Sequence, residues 1–103
     1  MFDIMKKAQE LQGKMAELQE ELANAEIEGE SGAGMVKVKL NGKGEMKGLN
    51  IDQSLLKKDE AEMLEDLIIA AHNDAKIKSE QMAQEKMKEV TGDLPIPPGM
   101  NLF

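Results

Sequence analysis

The chain has 103 residues, carries 13 Lys against 20 Asp plus Glu, and has a formal net charge of −7 with its one histidine neutral. That is one domain's length of chain with a thin core. The absence of cysteine excludes a disulfide framework, a thiolate metal site and a thiol nucleophile. Every cation is lysine, since arginine is absent; tryptophan and tyrosine are absent too, and methionine occurs nine times. No stretch is apolar for the roughly 18 residues that a membrane helix needs. The start, Met1-Phe2-Asp3-Ile4-Met5-Lys6-Lys7, lacks the basic opening and apolar run of a secretion signal. A cytoplasmic location is the expectation.

Charge is unevenly distributed. Residues 1–30 carry three Lys and eight acids, residues 35–48 four Lys and one acid, and residues 49–94 six Lys and eleven acids. A locally basic centre therefore lies between two acidic flanks.

In chain order, Ile4, Ala8, Leu11, Met15, Leu18, Leu22 and Ala25 recur at steps of four and three, a heptad seam that predicts a helix over residues 1–26. Gly13 lies off the seam. A helix of this length, roughly 36 Å, outruns a globule whose radius of gyration is about 13 Å. The seam leaves two readings open, a helix packed in the core or an arm paired with a partner chain.

From residue 26 the period becomes two. Ile27, Val36, Val38 and Leu40 alternate with Glu26, Glu28, Lys37 and Lys39, which predicts a three-stranded sheet over residues 26–52. A turn at Ser31-Gly32-Ala33-Gly34 sets Ile27 beside Val38, Glu28 beside Lys37 and Glu26 beside Lys39. Asn41-Gly42 predicts a second hairpin. A two-residue loop there would put Glu45 and Lys47 on the face of Val36 and Val38, a face that suits Leu49 and Ile51 better. A longer loop or a bulge, kinked at Gly44 or Gly48, must correct the phase.

Residues 52–58 read as a connector with a single helical turn. Asp59, with Glu62 three residues on, reads as the cap of a long helix over 59–91. Its first half is broadly apolar (Met63, Leu64, Leu67, Ile68, Ala70, Ala71), while beyond Ala75 the stripe thins to Ile77, Met82, Met87 and Val90. Gly92 is the expected stop, and residues 92–103 form a tail with three prolines. The fold class is α+β: helix, three antiparallel strands, helix. Val36, Val38, Leu40, Leu64, Leu67, Ile68 and Ala71 are expected in the core or in a dimer interface, because so short a chain leaves apolar surface that a two-fold partner would cover.

Catalytic chemistry has little support. His72 is the lone histidine, in Ala70-Ala71-His72-Asn73-Asp74, and reads as a packing or surface residue. No metal-ligand spacing, nucleophile set or phosphate loop occurs, so no cofactor and no small-molecule substrate is expected. The lysines carry a better signal: Lys37, Lys39, Lys43 and Lys47 lie on the sheet or its loops, Lys6 and Lys7 on the first helix, Lys76 and Lys78 on the second. Such amines neutralise phosphates and release counterions. Lys37 and Lys39 also face Glu28 and Glu26, in pairs worth little.

The runs Glu30-Ser31-Gly32-Ala33-Gly34, Val36-Lys37-Val38, Asn41-Gly42, Ile51-Asp52, Ser54-Leu55-Leu56, Glu62-Met63-Leu64-Glu65-Asp66-Leu67, Asn73-Asp74-Ala75 and Glu85-Lys86-Met87, with the tail Leu94-Pro95 to Pro98-Gly99, together resemble the YbaB/EbfC family of bacterial nucleoid-associated proteins. The resemblance covers nearly the whole chain. It implies a homodimer of α-β-β-β-α subunits with long helices projecting as tweezer arms, double-stranded DNA as partner, a place in the nucleoid, and effects on DNA shape, compaction and transcription. DNA contacts mainly on the terminal helices would fall at Lys76, Lys78, Lys6 and Lys7, with Lys47 at a further basic position. This chain has lysine where relatives often have arginine. It therefore lacks the bidentate guanidinium contact to guanine, and weak, salt-sensitive, largely non-specific binding is expected. The alternative is a dimeric helical adaptor whose acidic arms bind another protein.

Overall fold

The heptad seam forms α1, Phe2–Asn24, and the alternating stretch forms β1 (Ile27–Ser31), β2 (Val36–Leu40) and β3 (Met46–Ile51). Turns of 3-10 helix at Gln53–Leu55 and Lys58–Glu60 lead into α2, Ala61–Thr91. The computed structural model describes residues 2–91, so the stop at Gly92 and the proline-rich tail lie outside the described residues. The architecture is α+β, with an antiparallel sheet ordered β1-β2-β3.

The first hairpin differs from the expected register. Ile27 pairs with Leu40, Glu28 with Lys39 and Glu30 with Lys37, two residues along from the predicted partners. The cause is turn size: Gly32, Ala33 and Gly34 all take positive φ (59°, 55° and 88°) and the loop runs through Met35 before Val36 pairs with Ser31. A shift of two preserves the faces. The expected charge partners still meet, diagonally, with Lys37 3.8 Å from Glu28 and Lys39 3.9 Å from Glu26.

The phase correction in the second hairpin is a bulge. Lys39 pairs with Gly48 but Leu40 pairs with Met46, so Lys47 is the extra residue. Gly44, at φ 86°, makes the turn itself. Leu49 and Ile51 then stand opposite Val38 and Val36 as their chemistry requires. In the connector, the Asp52 carboxylate accepts the Ser54 backbone N–H at 3.1 Å and also the Ser54 hydroxyl. Asp59 does not cap α2; it lies inside the 3-10 turn Lys58–Glu60 that feeds the helix.

The core lies where α2 crosses β1 and β2. Val36, Val38, Leu40, Leu55, Ala71 and Ala75 are buried, with Leu64, Leu67 and Ile68 packed half-buried against them. Beside Leu64 and Ile68, one row of α2 carries these contacts onward, and it repeats every fourth residue. Leu67 accepts the Ser31 hydroxyl at its carbonyl, 2.5 Å away. Ala71 and Ala75 lie against Gly29, where an added Cβ would sit 2.3 Å from the Ala75 nitrogen and 2.5 Å from the Ala71 oxygen. The Ser79 hydroxyl donates to the Asn41 carbonyl at 2.9 Å, and Ala83 and Met87 continue the row against α1. Each step of four advances about 40° around the axis, so the row winds from the sheet to α1. That corrects the reading of a thinning stripe, because Ile77 lies off the row and is 57% exposed.

The two helices pair with one another. Leu18 and Leu22 of α1 are buried against Met87, with Met15, Ala83 and Val90 around them, and Lys86 reaches Glu21 at 3.5 Å. Leu22 meets the loop at Gly42 while Lys14 neighbours Val90, so α1 runs antiparallel to the outer half of α2. The seam is thus covered by its own chain at its inner end and bare at its start, where Ile4 is 73% exposed. The molecule measures 68 × 26 × 16 Å with a radius of gyration of 18.8 Å, well above the roughly 13 Å of a globule of this length.

Candidate nucleic-acid interface

The basic centre of the sequence resolves into three places. Lys37 and Lys39, on β2, point away from α2 on the open face of the sheet, each near a glutamate, Glu28 of β1 and Glu26 just before it. Lys47 is the exposed bulge residue at the start of β3. Lys43, in the Asn41–Glu45 loop, and Lys76, on α2, line a common cleft. Lys6 and Lys7 are exposed near the bare end of α1, about 20 Å along the helix from the cleft at 1.5 Å per residue.

Lys78 lies at the edge of the sheet. Its ammonium lies 3.1 Å from Asp74 and donates to the Glu28 carbonyl at 3.2 Å, while Asp74 accepts the Glu30 backbone N–H at 3.0 Å. An i,i+4 pair on α2 thereby occupies the free C=O and N–H groups along the outer edge of β1, where an open strand would invite further pairing. The Glu30 N–H first, and the Lys78 ammonium second, hold the Asp74 carboxyl below the usual aspartate range. Of Lys76 and Lys78, only Lys78 enters an ion pair among the described residues.

The cleft is built on Asn41, which the sequence marks only as a turn residue. Asn41 is wholly buried. Its amide nitrogen donates to the Ala23 carbonyl at 3.3 Å and the Glu45 carboxylate at 2.8 Å, and its side-chain oxygen accepts the N–H groups of Lys43 (2.9 Å) and Glu45 (3.0 Å). Gly42 donates to the Leu22 carbonyl at 2.7 Å and leaves no room for a Cβ, which would fall 2.6 Å from the Leu22 side chain. The Asn41 hydrogen bond, with Lys47 and then Lys43 nearby, keeps the Glu45 carboxyl below its ordinary range. This network fixes the end of α1, the loop and α2 in one arrangement. Between them opens a cleft of about 500 Å³, with Gln19 and Leu22 on one wall, Lys43 on the loop, and His72, Lys76, Glu80 and Ala83 on α2.

The remaining surface is divided by type. Met46, Leu49, Leu56, Met63 and Ile69 are exposed large apolar residues; Leu49 is 46% exposed although it shares the face that α2 covers on β1 and β2. The helix stops short of β3, whose outer edge is unpaired among the described residues. No helix among the described residues is long and apolar enough to cross a membrane.

The sequence profile of the YbaB/EbfC DNA-binding family matches residues 1–94. A nucleoid-associated protein of Agrobacterium fabrum is 61% identical over 99% of this chain and 95% of its own length, and one of Mesorhizobium japonicum is 57% identical over the same shares. A crystal structure of an uncharacterized protein from Helicobacter pylori matches with a TM-score of 0.67 at 26% identity, covering 88% of this chain and 91% of that one.

Proposed function

The chain belongs to the YbaB/EbfC DNA-binding family, whose members are not enzymes, and from that premise we propose that it acts in the bacterial nucleoid as a homodimer. The dimer binds double-stranded DNA mainly through phosphate contacts, with little sequence preference, and alters the conformation and expression of the DNA it holds. The names of its nucleoid-associated relatives support this place of action.

One observation carries the dimer. The edge of β1 is closed by Asp74 and Lys78, whereas β3 presents an open edge flanked by exposed Met46 and Leu49. A second copy is the occupant that such a half-protected sheet fits best, because two-fold pairing closes both edges at once. The DNA contacts fall to five of the lysines without ion pairs among the described residues, Lys76, Lys43, Lys47, Lys6 and Lys7, with Lys37 and Lys39 contributing once DNA displaces their glutamates. Lys78 serves the sheet edge. A dimer carries −14, twice the chain's −7, so it approaches DNA only through these places. Lysine supplies point charges rather than a planar fork, which favours phosphate over base recognition.

Fluorescence anisotropy with a labelled duplex, across a salt series, tests the binding mode. The logarithm of the affinity should fall linearly with the logarithm of salt, by nearly one unit of slope per phosphate neutralised. Affinity independent of salt, or no binding at low salt, overturns it. Sedimentation tests the assembly: Leu49→Glu should yield monomers, and a wild-type chain that sediments as a monomer at micromolar concentration removes the dimer.

A further inference from the structure

We propose that the cleft between α1, the Asn41–Glu45 loop and α2 is a binding site for a small phosphate monoester, held between Lys43 and Lys76. This goes beyond DNA binding and does not depend on it. Four features of the cleft point to such a ligand.

The first is shape. A duplex is a convex rod that touches the rim of a concavity, whereas about 500 Å³ lies within the range of small-molecule sites, roughly 300–1,000 Å³. The second is the set of donors. Lys43 and Lys76 enter no ion pair among the described residues, and the His72 imidazole and Gln19 amide share the walls. Several donor-bearing residues bordering one space suit a dianion with three terminal oxygens. One carboxylate, Glu80, lies on the same wall and leaves the two lysines in excess. The third is rigidity. The N–H groups of Gly42, Lys43 and Gly44 are already spent on Leu22 and Asn41, so the loop is fixed before any ligand arrives. Charge must then come from side chains, and little ordering is lost on binding. The fourth is the apolar surface of Leu22 and Ala83, which gives an uncharged ligand body somewhere to lie. Because Lys76 also belongs to the DNA-facing set, an occupied cleft would withdraw it from duplex.

Ribose 5-phosphate, inorganic phosphate and a short duplex serve as probes in an amide NMR titration of the full chain. Ribose 5-phosphate should shift the signals of Gly42, Lys43, Gly44 and His72 saturably, with a dissociation constant in the range of about 0.1–1 mM. Lys43→Gln and Lys76→Gln should each weaken it about tenfold, and Lys37→Gln should leave it unchanged. Melting curves of the three variants that match wild type keep loss of binding distinct from loss of fold. Inorganic phosphate should shift the same signals more weakly. The site is overturned by absence of saturation up to about 10 mM, by binding that survives both lysine changes, or by a duplex that shifts these signals while ribose 5-phosphate does not. The first two outcomes are read without DNA, and the third overturns the cleft while duplex binding stands, so failure of the cleft and failure of the DNA reading remain separable.

Discussion

Replacing Gly29 by alanine drives a methyl group into the backbone of α2. The added Cβ would lie 2.3 Å from the Ala75 nitrogen, 2.5 Å from the Ala71 oxygen and 2.6 Å from the Ala75 Cβ. Ordinary carbon contacts need about 3.5 Å or more, so the helix must lift by about 1 Å, and no side chain can rotate to avoid it. Lifting would stretch the bond from the Glu30 N–H to Asp74, now 3.0 Å, and that from Lys78 to the Glu28 carbonyl, now 3.2 Å. Overpacking of this kind costs about 1–3 kcal/mol, and with two edge bonds weakened we expect the upper end, about 3 kcal/mol. In a domain of this size that lowers the melting midpoint by about 12–24 °C. Circular dichroism melts at matched protein concentration read it directly, since a dimer's midpoint depends on concentration. Gly13→Ala is the internal control, because that position is helical with nothing within 4 Å of the added Cβ, and it should gain about 1 kcal/mol. A Gly29→Ala variant within about 0.5 kcal/mol of wild type would refute the backbone-on-backbone seat of α2.

Asn41→Ala should cost about 3 kcal/mol in urea unfolding, because it removes four side-chain hydrogen bonds at a wholly buried position; a loss below about 1 kcal/mol would mean that water replaces the amide. Ser79→Ala should cost only about 1 kcal/mol, since the Asn41 carbonyl keeps its bond from the Gly44 N–H at 3.1 Å. Stability should fall on acidification. The carboxyls of Glu45, Asp52 and Asp74 are all lowered in the folded chain, so their contribution is complete above the unfolded values near 4 and is lost as pH drops through the folded ones. Urea midpoints at pH 7 and pH 3 measure this, and Asp74→Asn should shrink the difference. A midpoint unchanged between the two pH values would show that these hydrogen bonds are not formed in solution.

Periodicity carried most of the fold. Helix and strand limits follow from a seam of fours and threes giving way to alternation, and parity alone required the irregularity that the structure places at Lys47. The first hairpin slipped by two because pattern fixes faces but not loop length, and three consecutive positive φ values at Gly32, Ala33 and Gly34 are not encoded in hydropathy. The row from Leu67 to Met87 is readable as four small residues, Ala71, Ala75, Ser79 and Ala83, at every fourth position, yet a search for large apolar side chains passes over it. Charge was less legible. Lys76 and Lys78 look alike in sequence, and only the edge of β1 separates them. Asn41 resembles any turn asparagine until Ala23 and Ser79, distant in sequence, close upon it.

The winding of that fourfold row makes α2 sensitive to phase rather than to length. A single residue inserted between Ser79 and Ala83 would spin everything beyond it by about 100° and carry Met87 off Leu18, whereas seven would restore the facing to within about 20° and shift it about 10 Å along the axis, an advance that α1 must match. Chains built on this plan can therefore lengthen or shorten their outer halves in heptad quanta while the sheet end stays untouched. The span between the arm tip and the sheet is an adjustable dimension, and the direction in which the arm points is not.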